Sequence, residues 1–301
     1  MQESPTDRTD FSPIIGRATT LLLLPTHARA GLIPTWAVLS GVLAANSWQW
    51  RGQKWIVLPV TLFIAEILWS TWRSLLVDLD WLAYLRTHPL PAQGDPIFRL
   101  PYTTPGSPLG KLLVKWGQIR LWMRKTLSGE RRGAILAIPL LPLLILCLSA
   151  LCGREILLLS TAALALSVIE WRIARNSRSS PSLQAGLEIG LCWLAGHSIL
   201  APLTWPSFTL ACCYALAYQG MLSTGTKPRA WPLALTYGGQ IGALIGLALW
   251  KHPLAAAVNG ILCALQWLFL IRFYSDRGRA QYLKHISPLV VLSMVVSAWA
   301  V

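Results

Sequence analysis

Acidic side chains are scarce in this chain: 12 Asp or Glu in 301 residues, against 26 Lys or Arg. Charge of either sign is thin as well, at 13% of residues, while 54% are hydrophobic and the mean hydropathy is +0.51. That deficit excludes an ordinary soluble domain, in which about a quarter of residues are charged. Six cysteines are present and none forms a C-x-x-C pair. Cys147, Cys192, Cys212, Cys213 and Cys263 fall within apolar runs, and Cys152 lies at the end of one. They read as small packing residues, which argues against a disulfide framework or a cysteine metal site. The first 20 residues have no apolar core, so no cleavable signal is expected. No internal repeat is visible, and this removes the usual sequence hallmark of a small secondary transporter.

What the chain does have is apolar runs of nearly membrane-spanning length, since about 20 apolar residues cross a bilayer as a helix. Nine are expected, near 33–49, 55–77, 133–152, 155–173, 183–203, 206–223, 231–249, 254–272 and 285–301. The net charge of +14 invites a nucleic-acid reading, but the placement of the bases excludes it. With nine spans, 22 Lys or Arg fall on one side of the membrane and 4 on the other. This is the positive-inside asymmetry, so the N-terminus is expected in the cytoplasm and the C-terminus outside. The expectation is an all-α integral membrane protein, in a bacterial cytoplasmic membrane, with lipids and other membrane subunits as partners and no nucleic acid. Residues 1–30 form an N-terminal segment whose short run Leu21–Pro25 suits an interfacial helix. Residues 31–301 form the transmembrane domain, with one long cytoplasmic insertion at 95–132. Within it, Leu112, Leu113, Trp116, Ile119 and Met123 recur at helical spacing among bases and no acids. That pattern suggests an amphipathic helix, on a lipid surface or on an acidic neighbour.

The stretch from Trp69 to Gly94, WSTWRSLLVDLDWLAYLRTHPLPAQG, leaves an apolar helix at its charged end and turns at Pro89-Leu90-Pro91. It resembles the first signature of the UbiA-type membrane prenyltransferases, N-D-x-x-D-x-x-x-D followed by R-P-[IL]-P-S-G. Aligning the last acid of that motif on Asp80 places Trp72 and Arg73 at the Asn-Asp pair and Leu76 at the next Asp. The helix start Pro34, Trp36, Gly41 is similar to the chlorophyll-synthase branch of the superfamily. The stretch Pro232 to Gly238 resembles the helix start that follows the family's second acidic motif. Ahead of it no acid lies between Tyr214 and Trp231, and Lys227 and Arg229 occupy the loop.

The resemblance implies a nine-helix UbiA-like bundle around an apolar cavity for an isoprenoid-tailed molecule: a quinone, a carotenoid or a (bacterio)chlorophyll. In the family, two Asp-rich loops hold Mg²⁺ ions that neutralise the departing diphosphate, which needs hard oxygen ligands. Here Asp78 and Asp80 stand on the first loop and none on the second. On a helix these two point about 200° apart and share an ion only where the backbone unwinds. The expected reading is a non-catalytic subunit with a structural or assembly role in a membrane complex, photosynthetic by the synthase flavour of its motifs. The alternative is an active prenyltransferase using Asp78, Asp80 and Arg86 around one Mg²⁺ ion, with an aromatic or tetrapyrrole acceptor. Lys227, Arg229 and Arg73 are candidates for holding a phosphate-bearing head directly.

Two intramembrane residues complete the candidate set. Glu66 sits mid-helix, where an acid faces a cavity or bonds a neighbouring helix in its protonated form. His197 shares a 4, 3, 4 spacing with Gly186, Gly190 and Trp193, a face that admits another helix or a flat ring. It either ligates a chlorin magnesium or quinone carbonyl, or bonds a neighbouring helix. Glu188 is a further acid within a span, and Glu170, beside Trp171 and Arg172, is expected to be solvated at a helix end.

Overall fold

The computed structural model describes residues 33–45, 54–77, 107–126, 132–176, 180–223, 230–273 and 279–301. The expected interfacial helix at Leu21–Pro25, the acidic stretch with Asp78, Asp80 and Arg86, and the loop with Lys227 and Arg229 lie outside them. Among the described residues the chain is helical throughout, with no strand. In chain order the helices are α1 (Ile33–Ala44), α2 (54–77), α3 (Pro108–Thr126), α4 (Arg132–Cys152) and α5 (Arg154–Asn176). They continue with α6 (181–200), α7 (Trp205–Ser223), α8 (Ala230–Leu249), α9 (Pro253–Phe273) and α10 (Arg279–Ala300).

Each expected apolar run is met by a helix, and α3 forms where the basic amphipathic pattern predicted one. Among the described residues four helical stretches are long and apolar enough to cross a membrane: Trp55–Val77, Arg154–Arg175, Ala230–Leu249 and Pro253–Leu270. Ile33–Ala44, Ala137–Cys152 and His285–Ala300 are shorter apolar helices. Large apolar side chains such as Leu140, Leu151, Leu158, Leu254 and Leu268 point outward, as lipid-facing surfaces require. The chain is an integral membrane protein.

Three helices depart from the expected pattern. Both α2 and α6 contain a π-helical segment, Phe63–Trp69 and Gly186–Leu191, each flanked by α-helix. A π turn takes in one extra residue and re-aims the side chains within it. The last helix begins at Arg279, six residues before the expected start, and carries Pro288 inside it. The stretch expected as loop is thus partly helical. A proline interrupts only one backbone hydrogen bond, and helices in membranes tolerate it where neighbours compensate.

Close crossings organise the interior. Added Cβ atoms on Gly41 of α1 and Gly196 of α6 would strike the backbone at Trp193 and Val38 respectively. The crossing is reciprocal, so each helix supplies the gap the other fills. Gly220 of α7 and Gly239 of α8 repeat the device: their added Cβ atoms would strike Pro232, Thr236 and Cys213. Between the two crossings Trp193 is fully buried, stacks on Tyr214 with ring centroids 5.8 Å apart, and donates its indole N–H to Ser207 Oγ at 2.9 Å. The α4–α5 turn is tight, because Gly153 adopts φ +133°, a conformation side chains rarely permit. Ser149 and Ser160 then bond across the hairpin at 2.6 Å.

A candidate charged site at one end of the bundle

The two π segments carry the two acids that sit deepest in apolar sequence, Glu66 in α2 and Glu188 in α6. Both segments pack against α1. The Glu66 carboxylate accepts from the Thr35 amide at 3.0 Å and from the Thr35 hydroxyl at 2.8 Å, through the same oxygen Oε2. Thr35 lies in the first turn of α1, where backbone amides have no partner within the helix and attract negative charge. Glu66 therefore satisfies a helix N-terminus from the side, and it lies within range of the Glu188 charge.

About one turn beyond the π segment, α2 presents Arg73. Its guanidinium grips Glu170 of α5 with two parallel bonds, Nε to Oε2 and Nη2 to Oε1, each 2.8 Å. The third nitrogen, Nη1, lies 3.6 Å from Glu188 Oε1. Bidentate pairing of this kind is the strong form of the ion pair and fixes the planes of both groups. Glu170 is completely buried, so the expectation of a solvated residue is corrected. A carboxylate out of water needs a partner charge, and Arg73 supplies it from 97 residues away. Glu188 is held on its other sides by Gln184 Nε2, donating at 2.9 Å, and by the Tyr218 hydroxyl of α7, donating at 2.7 Å. Two further donors on α2, the indole N–H groups of Trp69 and Trp72, are buried without a hydrogen-bond partner among the described residues.

Five helices thus contribute to one polar patch: α1 through Thr35, α2 through Glu66 and Arg73, α5 through Glu170, α6 through Gln184 and Glu188, and α7 through Tyr218. Two carboxylates, Glu170 and Glu188, meet the Arg73 guanidinium, and a third, Glu66, lies within range of the Glu188 charge. Acids outnumber the base among these described residues, which suits the patch to receiving hydrogen-bond donors. The described donor set does not fit Mg²⁺. Both oxygens of Glu170 accept from Arg73, and Glu188 is engaged by Gln184 and Tyr218, with a fixed cation among them. Among the described residues no group of three or more His, Cys, Asp or Glu is arranged to hold a metal ion.

The other sequence-derived candidate within the described residues, His197, stands apart from this patch at the α1–α6 crossing. Its ring is buried, and Nε2 donates to the Pro202 carbonyl at 3.0 Å, bridging the end of α6 to the turn that follows. On the same helix the close approach is made by Gly196, while Gly186 has open space where a Cβ would lie. Gln184 and Tyr218 were not singled out from sequence, and Glu170 was read there as solvated. The available signal was topological: Arg73, Glu170, Gln184 and Tyr218 all fall near helix ends on the base-rich side of the nine-span pattern.

Comparison with known proteins adds one similarity. Over 136 residues the chain is 34% identical to the bacteriochlorophyll synthase 34 kDa chain of Chloroflexus aurantiacus. The matched region is 38% of this chain and 44% of that protein, so less than half of the relative's length is covered. No protein-family profile matches the chain, and no solved structure matches it. The similarity supports the resemblance to the UbiA-type prenyltransferases that the first motif carried.

Proposed function

We propose that this chain is a UbiA-like membrane protein that holds an isoprenoid-tailed molecule and serves a structural or assembly role in a membrane complex, without transferring a prenyl group. It does so as a nine-span bundle with a cytoplasmic N-terminus and an external C-terminus. The observation that carries this reading is the Arg73–Glu170 pair. Arg73 stands where the resembling family has the first Asp of its diphosphate-binding motif, and it is locked to a buried acid. A guanidinium there repels a divalent cation and spends its own donors within the protein. The chemistry left to the patch is recognition: hydrogen bonds and charge offered to a polar head, with the apolar bundle taking the tail. The similarity to a bacteriochlorophyll synthase makes a tetrapyrrole with an isoprenoid tail the first ligand to look for, ahead of a quinone or carotenoid.

A second reading is favoured by that same similarity: an active prenyltransferase whose ion is held by Asp78 and Asp80 with Arg86 on the diphosphate. The two separate in one experiment. Purified protein is incubated with labelled geranylgeranyl diphosphate and chlorophyllide or quinone-ring acceptors, with and without Mg²⁺, and the extracted pigments and lipids are identified. The non-catalytic reading expects a co-purifying isoprenoid-tailed molecule and no labelled product. Mg²⁺-dependent product that disappears in Asp80→Asn establishes the enzyme instead.

A further inference from the structure

Helix α3 has two faces that differ in kind. Gly110 and Gly117, two turns apart, are buried on one side of it, beside the exposed Leu121. On the opposite side Leu109, Leu112, Trp116 and Ile119 follow one another at steps of 3, 4 and 3, which makes a single stripe on a helix. Their exposures are 52%, 55%, 58% and 39%. The stripe is about 15 Å long, taking 1.5 Å per residue. Lys111 and Lys115 are exposed along one border of it, and Arg120 is exposed along the other. The helix holds no acid.

We infer that this outer face of α3 lies in the headgroup region of an anionic bilayer, parallel to the membrane plane, with the Leu109–Ile119 stripe in the acyl boundary and the three bases at lipid phosphates. The argument rests on where the charges stand. An acidic protein partner would be met by bases at the centre of the contact. Here the centre is apolar and the bases edge it on both sides, the arrangement in which long cationic side chains lay their stems along lipid and raise their heads to phosphate. Trp116, in mid-stripe, is the residue type most enriched at that depth. A bilayer is also at hand, since the helices that follow α3 present outward leucines to it. The consequence for the fold is an anchor in the insertion that joins α2 to α4, tethering the segment after the first motif to the cytoplasmic leaflet.

The test uses the full chain in nanodiscs of phosphatidylcholine alone or mixed with phosphatidylglycerol, read by hydrogen–deuterium exchange of the 108–122 peptides. Three bases near an anionic surface amount to a gain on the order of a hundred-fold in partition. Exchange of α3 is therefore expected to slow at least tenfold on adding the anionic lipid, and to lose that protection in high salt. The triple variant Lys111→Glu, Lys115→Glu, Arg120→Glu is expected to exchange equally fast in both discs while the other helices keep their protection. Equal α3 exchange of the native chain in both lipids overturns the proposal. So does protection that appears only when an acidic protein from the native membrane is retained. If the triple variant does not fold, the lipid and salt comparison on the native chain decides.

Discussion

Tyr214 and Tyr218 stand one turn apart on α7, and their hydroxyls reach two different kinds of surroundings. Tyr214 is fully buried, and its hydroxyl lies 2.9 Å from both the carbonyl and the side-chain oxygen of Ser293 and 2.7 Å from Ser297 Oγ, all on α10. Asn259 of α9 completes that group, donating to Ser297 and accepting from Ser293 at 2.7 Å each. Every member is neutral and every reach is answered, so the group is a clasp joining three helices. Tyr218 instead donates to Glu188, which leads to Arg73, Glu170 and the neighbourhood of Glu66. There two acids share one base with a third acid alongside, and the Trp69 and Trp72 indole donors of α2 are unanswered among the described residues. A closed neutral network explains itself through packing. A charged patch with spare donors differs from that, and the ligand head proposed above is expected on the Tyr218 side.

The sharpest way to break this contrast is at Arg73. Arg73→Met leaves Glu170 buried and unpaired, and the expected loss is about 3–5 kcal/mol, seen as a fall in unfolding midpoint in detergent. The double change Arg73→Met with Glu170→Leu is expected to recover most of it, because the desolvated charge goes with its partner. A loss under about 1 kcal/mol for the single change would show that Glu170 is not the buried, paired acid described here.

The helix crossings give the next largest effect. Gly196→Ala drives a methyl into the Val38 carbonyl and is expected to cost about 1–3 kcal/mol as α1 and α6 part. Gly186→Ala, ten residues earlier on the same helix, meets open space and is expected to change stability by about 1 kcal/mol or less. Equal effects in a thermal-shift comparison would contradict the reciprocal crossing.

The two tyrosines supply the smallest effects and refine the comparison. Single hydrogen bonds between helices in a membrane average about 0.6 kcal/mol and reach about 1.7. Tyr214→Phe is expected near the upper figure, since three contacts end on one hydroxyl. Tyr218→Phe is expected near the lower one, because Gln184 and Arg73 still hold Glu188. Ligand retention should rank them in the reverse order: Tyr218→Phe lowers the yield of co-purified pigment or quinone, while Tyr214→Phe leaves it in place in whatever protein remains folded. Equal retention by the two variants would remove the distinction between clasp and site.

The amino-acid order alone determined that this chain is helical and membrane-borne, and roughly where its apolar helices lie. Those features follow from local hydropathy, and each is written within a window of about 20 positions. Glu66 and Arg73 were also legible as unusual, the one an acid at depth and the other a base where the resembling motif has an acid. Their partners were not legible. The tertiary structure decided that Glu66 serves the first turn of α1, that Glu170 is buried rather than solvated, and that the π turns of α2 and α6 pack against the same helix. A charge pair separated by 97 residues depends on which helices touch and at what depth, and glycine crossings between helices set that contact.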